Sequence, residues 1–222
     1  MHTYVDAIHR NPRADRQAAL LDQIIARPRD HARLLNTLSR LEYVGVRKMA
    51  KSRRAERLDL DGLQHLLDET IHALRLKKAA LAVAPEGDRA AIATYADGDT
   101  LAGDAGEAYI QGVDRAAEAA LADLDEETRA EANYLLSSAA IEVRAQAFYP
   151  LYESRLRNSG VTVSVAAIMR DEDRHLTEMS QGLSRTLPEW RARLETVLEV
   201  EARLFDDFLD ALTDALDAAA AA

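Results

Sequence analysis

The sequence predicts an all-α protein: an antiparallel four-helix bundle with a long crossover, short helices before it and one helix after it. Three observations lead there. Ala, Leu, Arg, Glu and Asp dominate the 222 residues, with 9 Gly and 5 Pro, a composition of good helix formers. Apolar residues recur at intervals of three and four through long segments, as on one face of a helix. Four of the nine Gly, at 87, 98, 103 and 106, fall in one loose stretch, 84–108, which reads as the crossover between two halves of a bundle.

Residues 1–29 read as an N-terminal extension. Short helices over 3–10 and 14–26 are closed by Pro28. The bundle is expected over 30–185. Its first helix runs from Asp30 to Lys51, with Leu34, Leu35, Leu38, Leu41, Val44, Gly45, Val46 and Met49 in its apolar stripe. Glu42, the only Glu among the first fifty residues, lies inside that stripe. The cations from Arg47 to Arg54 read as a solvated helix end, where positive charge suits the helix dipole. Asp59 or Asp61 caps the second helix, which continues to Val83 before Ala84-Pro85 stops it. Leu63, Leu66, Leu67, Ile71, Leu74 and Leu81 are assigned to its buried side.

The Gly-containing stretch 84–108 reads as the crossover, followed by a helical piece over 109–122. A third bundle helix is expected from Asp125 to Arg157, kinked at Pro150 and closed by Asn158-Ser159-Gly160. The fourth, capped by Thr162 or Ser164, ends before Pro188. Residues 186–222 supply a last helix over 189–218. Trp190, Leu194, Val197, Leu198, Leu204, Phe205, Phe208, Leu209 and Leu212 share one side of it, and a fraying Ala tail follows.

Composition narrows the function. The content is 48% hydrophobic and 30% charged with no long apolar run and no basic start followed by an apolar block, so neither a membrane span nor a secretory signal is expected. With no Cys, disulfides, thiolate nucleophiles and thiolate metal sites are excluded, and a cytoplasmic location is the expectation. A net charge of −10 disfavours a nucleic-acid partner.

The chemistry lies in a doubled motif, Asp68-Glu69-Thr70-Ile71-His72 and Asp171-Glu172-Asp173-Arg174-His175. Residues three apart leave a helix on the same side, so Glu69 pairs with His72, and Glu172 with His175, on apolar faces. Buried carboxylates and imidazoles are costly unless paired or bound to metal. Glu42 and Glu142 each precede one pair by about a helix, 27 and 30 positions before Glu69 and Glu172. That interval suits equal depth on antiparallel neighbours. His65 stands four before Glu69 on the same face. It reads as a core or neighbouring histidine, since the set of six is complete without it.

Glu142 followed by Asp171-Glu172-Asp173-Arg174-His175 resembles the Glu…Asp-Glu-x-Arg-His signature of the ferritin-like di-iron carboxylate superfamily. The helix pattern over 30–185 is similar too. The resemblance implies that Glu42, Glu69, His72, Glu142, Glu172 and His175 hold two iron ions, with a manganese pair or a mixed pair as alternatives, and that Glu69 and Glu172 bridge them. It also implies that Asp68 and Asp171 accept hydrogen bonds from the histidine N–H groups, and that Arg174 pairs with one of those aspartates. Ile71 stands where the second motif has Arg174, and no Cys-rich segment of the rubrerythrin kind follows.

The implied activity is a di-iron oxidoreductase that uses dioxygen to oxidise, hydroxylate or desaturate a small organic substrate. The alternative is a ferroxidase, another iron-handling protein, or a catalase-like manganese protein acting on peroxide. An electron-donor protein and a homodimeric state are further expectations. Gly45, Ala73, Ser138 and Ala139 leave room for a pocket beside the metals, and Tyr149 is a candidate redox or hydrogen-bonding neighbour.

Overall fold

The computed structural model describes Tyr4 and residues 13–52 and 58–221, and among these the chain is helical with no strand. The expected helix over 3–10 lies outside the described residues apart from Tyr4. Seven α-helices follow in order: α1 (Arg13–Ile25), α2 (Pro28–Ser52), α3 (Leu60–Val83), α4 (Gly103–Ala120), α5 (Glu126–Ser159), α6 (Ala166–Thr186) and α7 (Trp190–Ala221). Short 3₁₀ turns, Glu86–Ile92 and Asp97–Asp99, occupy the connection between α3 and α4.

Helices α2 and α3 pack along their length as one hairpin, and α5 and α6 as another. The two hairpins face each other, with only sparse backbone approach between α2 and α5 and between α3 and α6. Helices α4 and α7 pack on each other and then over α5. Helix α1 lies against α5 and α2.

Local chemistry explains most boundaries. Pro28 opens α2 instead of closing α1, so that helix starts two residues before the expected Asp30. A missing N–H costs nothing in a first turn. Asp59 caps α3 by accepting from the Gly62 N–H at 2.9 Å. Asp125 caps α5 through the Glu127 and Thr128 N–H groups. Helix α5 runs through Pro150 and stops at Gly160, whose φ of 74° is the left-handed conformation that ends helices. Helix α4 begins at Gly103, six residues before the expected start. Ala218–Ala221, expected to fray, continue α7.

Neither Thr162 nor Ser164 is the N-cap of α6. That position is Val165, whose N–H is taken at 2.8 Å by the buried Glu153 carboxylate of α5. The Ser164 hydroxyl donates to the same carboxylate. Burial raises the Glu153 pKa, but the Val165 N–H, Ser164 and Arg157 outweigh it and hold the group below the usual carboxylate range.

Two expectations about faces are overturned. Leu63, Leu67, Leu74 and Leu81 of α3 point outward, and the inner side is held by His65, Asp68, Glu69, His72, Ala73, Leu76 and Ala80. Lys48 is not part of a solvated end: its Nζ lies 2.6 Å from Asp114 and donates to Ser137. Arg53 and Arg54 lie outside the described residues.

Candidate metal centre

Seven side chains converge where the hairpins face each other. They form two groups whose donor atoms lie within 4.8 Å of one another: His65, Glu69, Glu142 and His175 in one, Glu42, Glu69, His72 and Glu172 in the other. Glu69 belongs to both. Glu172 also reaches across, with Oε1 3.2 Å from His72 Nδ1 and Oε2 3.9 Å from His175 Nδ1. All six residues singled out in the sequence are therefore brought together.

His65 is the seventh, and the expectation that it stands behind the ligands is corrected. Its Nε2 lies 3.4 Å from Glu69 Oε1 and 3.6 Å from Glu142 Oε1. Its ring lies beside that of His175, with centroids 4.0 Å apart and the planes tilted by 30°. His65, Glu69 and His72 recur at intervals of four and three along one face, so the signal was present in the spacing.

Each histidine is held from behind. His72 Nε2 lies 3.1 Å from Asp171, and His175 Nε2 lies 3.4 Å from Asp68. A carboxylate there fixes the proton on Nε2 and leaves the Nδ1 lone pair facing the centre, the arrangement of metal-bound imidazoles. His65 is turned the other way. Its Nδ1 pairs with the Tyr134 hydroxyl at 3.1 Å, which leaves Nε2 inward.

The aspartates are braced in turn. Asp68 accepts from Gln64 at 2.8 Å and from Arg174, which also pairs with Glu178 at 2.9 Å. On the other side, where Ile71 replaces an arginine, Arg75 approaches Asp171 at 3.5 Å instead. Gln64, Arg75 and Tyr134 were not foreseen as part of the centre.

The electrostatics describe a site short of positive charge. Burial raises the Glu42 carboxyl well above the usual range, and the Glu69 and Glu172 charges push it further. Glu172 is raised by burial and by Glu142. Burial also raises Glu142, but contacts with Glu172, His175 and His65 prevail and hold it at about 2. Burial lowers His175, yet Glu142 and Glu172 carry it to about 12. His65 reaches about 9 against its own burial, through Glu142 and Glu69. Among the described residues no Lys or Arg pairs with the four glutamates, so the raised histidines and Glu42 carry the protons that offset their charge.

The donor set fits a pair of metal ions. Glu69 Oε1, His72 Nδ1, Glu142 Oε2 and His175 Nδ1 are buried without a hydrogen-bond partner. Each such atom costs about 1–3 kcal/mol if nothing binds it. Four carboxylates offset two divalent cations, and mixed carboxylate and imidazole ligation suits iron or manganese.

An apolar cavity of about 120 Å³ opens on the centre between α2 and α5, roofed by α4 and α7. Glu42, Glu69, Glu142, Glu172 and His65 form its inner end, and Leu38, Ile110, Ile141, Phe148, Phe205 and Phe208 its walls. Gly45 and Ser138 line it as expected, whereas Ala73 and Ala139 are buried in helix packing away from the lining. Tyr149 also borders it, and its hydroxyl donates to Glu42. The charged groups of the outer wall are already satisfied. Arg144 makes two 2.8 Å bonds to Glu201, which also accepts from Tyr109 at 2.8 Å.

No helix of the described residues is long and apolar enough to cross a membrane. The chain matches no protein-family model, no curated protein and no solved structure.

Proposed function

We propose that this is a ferritin-like dinuclear oxidoreductase that uses dioxygen to oxidise a small, uncharged organic substrate. Glu42, Glu69, Glu142, Glu172, His65, His72 and His175 would hold two iron ions, with manganese as the alternative occupant. Bound there, the metals would supply open coordination positions and two of the four electrons dioxygen takes, the substrate supplying the other two and an electron-donor protein restoring the ferrous pair.

The observation that carries the oxidase reading over iron storage is the cavity. It ends on the carboxylates, its walls are hydrocarbon and aromatic, and its Arg and Lys side chains are already paired. Such a space suits an apolar ligand and has no unpaired cation with which to hold an anionic one. A cavity of about 150 Å³ in another protein takes benzene, so the substrate is expected at about that size. Tyr149 holds Glu42 through its hydroxyl at the cavity edge, and so keeps that carboxylate aimed inward.

The test is to load the anaerobic protein with ferrous iron, admit air and follow both metal and product. The expected result is two ions per chain, oxidation without a mineral core, and a single turnover, two electrons from the ferrous pair and two from the substrate, that oxidises small neutral substrates in preference to charged analogues. Ala145→Phe, which fills the cavity from α5, should keep the metal content and lower turnover at least tenfold. Hundreds of ferric ions retained per particle would overturn the oxidase reading. Unchanged turnover in Ala145→Phe would remove the cavity from it.

A further inference from the structure

The outer side of α3 is as apolar as its inner side is polar. Leu60, Leu63, Leu67, Leu74 and Leu81 are each between 37% and 79% exposed. They are five of the six large hydrophobic residues exposed among the described residues, the other being Tyr43 of α2. Four of the five, Leu60, Leu67, Leu74 and Leu81, are seven apart, which keeps them in one row down a helix of 24 residues. At 100° per residue that row lies opposite His65, Glu69 and His72. Isolated exposed leucines need no explanation, but a continuous row of them marks an interaction surface.

We infer that α3 pairs with α3 of a second copy of this chain, antiparallel, in a two-fold dimer. The row is self-complementary, since a two-fold axis between Leu67 and Leu74 sets Leu67 against the partner's Leu74 and Leu60 against the partner's Leu81. Charge selects the direction. Asp59 and Asp61 stand exposed at the N-terminal end, and Lys78 stands exposed toward the C-terminal end, near the half-exposed Arg75 that also approaches Asp171. Antiparallel pairing sets the acidic end beside the partner's basic end, whereas a parallel pair would oppose like charges at both ends. Two-fold dimers that use one patch twice are the commonest soluble assemblies. The metal-ligating helix would then be the dimer helix, with its ligands on one side and its partner on the other.

The chain has no cysteine, so single cysteines report the geometry in the full-length protein. Thr70→Cys lies next to the proposed axis and should form a disulfide-linked dimer on mild oxidation. Leu60→Cys should not, because its two copies would be roughly 30 Å apart at ~1.5 Å per residue, far beyond the ~7 Å that a disulfide tolerates. By light scattering the wild type should have twice the 24.5 kDa chain mass at micromolar concentration. Leu67→Glu with Leu74→Glu should give a monomer with unchanged helical circular dichroism. If that double variant fails to fold, the two cysteine variants still decide. A wild-type monomer, a dimer indifferent to the double substitution, or cross-linking at Leu60→Cys in place of Thr70→Cys would overturn the inference. A monomer would leave the row for a different protein, which is also a failure of this one.

Discussion

Asp171 lies on α6, yet its carboxylate faces His72 of α3, while Asp68 on α3 faces His175 of α6. Each motif thus orients the histidine of the other hairpin. Asp171→Ala should therefore release the His72 ring and weaken metal binding by roughly ten- to a hundredfold, as loss of such a carboxylate commonly does. Asp173→Ala, exposed two residues on, should change little. Titration against a chromophoric chelator measures both, and equal losses would remove the special role of Asp171. The doubled motif was legible because Glu and His three apart on an apolar face have few other uses. The crossing was not, since spacing along one helix says nothing about which neighbour a side chain reaches. His65 shows a different failure. Its spacing was visible, but a complete set of six ligands argued for placing it behind them.

A histidine far from the centre sets a pH dependence. Burial lowers His31 to about 4, and its Nε2 pairs with the Tyr152 hydroxyl at 2.6 Å. The folded state therefore resists a proton that the unfolded chain accepts at its ordinary value near 6.5. No stability is lost above that value. As pH falls from about 6.5 to about 4, the wild type should lose up to roughly 3 kcal/mol relative to His31→Gln, at ~1.4 kcal/mol per pKa unit. Urea unfolding at pH 7 and pH 4.5, with metal removed from both proteins, measures the difference. Parallel pH profiles would show that His31 is not the group responsible.

Among the elements, α6 is the one whose start depends on another helix. Its N-cap residue, Val165, has no capping side chain; Ser164 Oγ accepts only from the Ala166 N–H at 3.3 Å, and Glu153 of α5 takes the Val165 N–H. Glu153→Ala leaves that N–H and the Ser164 hydroxyl without their acceptor, at a cost of about 1–2 kcal/mol. The loss should appear in the urea midpoint together with faster amide exchange over 165–169. A midpoint within error of wild type would show that Ser164 caps α6 unaided, as its sequence position suggests. Long-range capping is invisible to a reading that looks for Ser, Thr, Asp or Asn beside the helix start. Helix α3 was misread for a related reason. Most of its leucines gather on the outer side, while the inner side carries His65, Asp68, Glu69 and His72, so leucine periodicity alone pointed to the wrong face.

At the scale of the molecule, the candidate metal centre lies where the two hairpins approach each other least closely. The α2–α3 and α5–α6 hairpins are each well packed internally but approach each other only sparsely. Between them lie four glutamates and three histidines, several with unpartnered buried atoms. Two cations there would cross-link the hairpins and replace protons that the raised Glu42, His65, His72 and His175 otherwise carry. Metal should thus stabilise the whole chain, by ~2.7 kcal/mol for each site at which free metal exceeds the dissociation constant a hundredfold. For a chain of this size that corresponds to roughly 5–10 °C in Tm. Scanning calorimetry of the iron- or manganese-loaded and chelator-treated protein measures it, with His72→Ala/His175→Ala as the control that should show no metal response. A wild-type Tm indifferent to metal would mean that the cluster is balanced by its own protons, and that the two hairpins hold together without a cation.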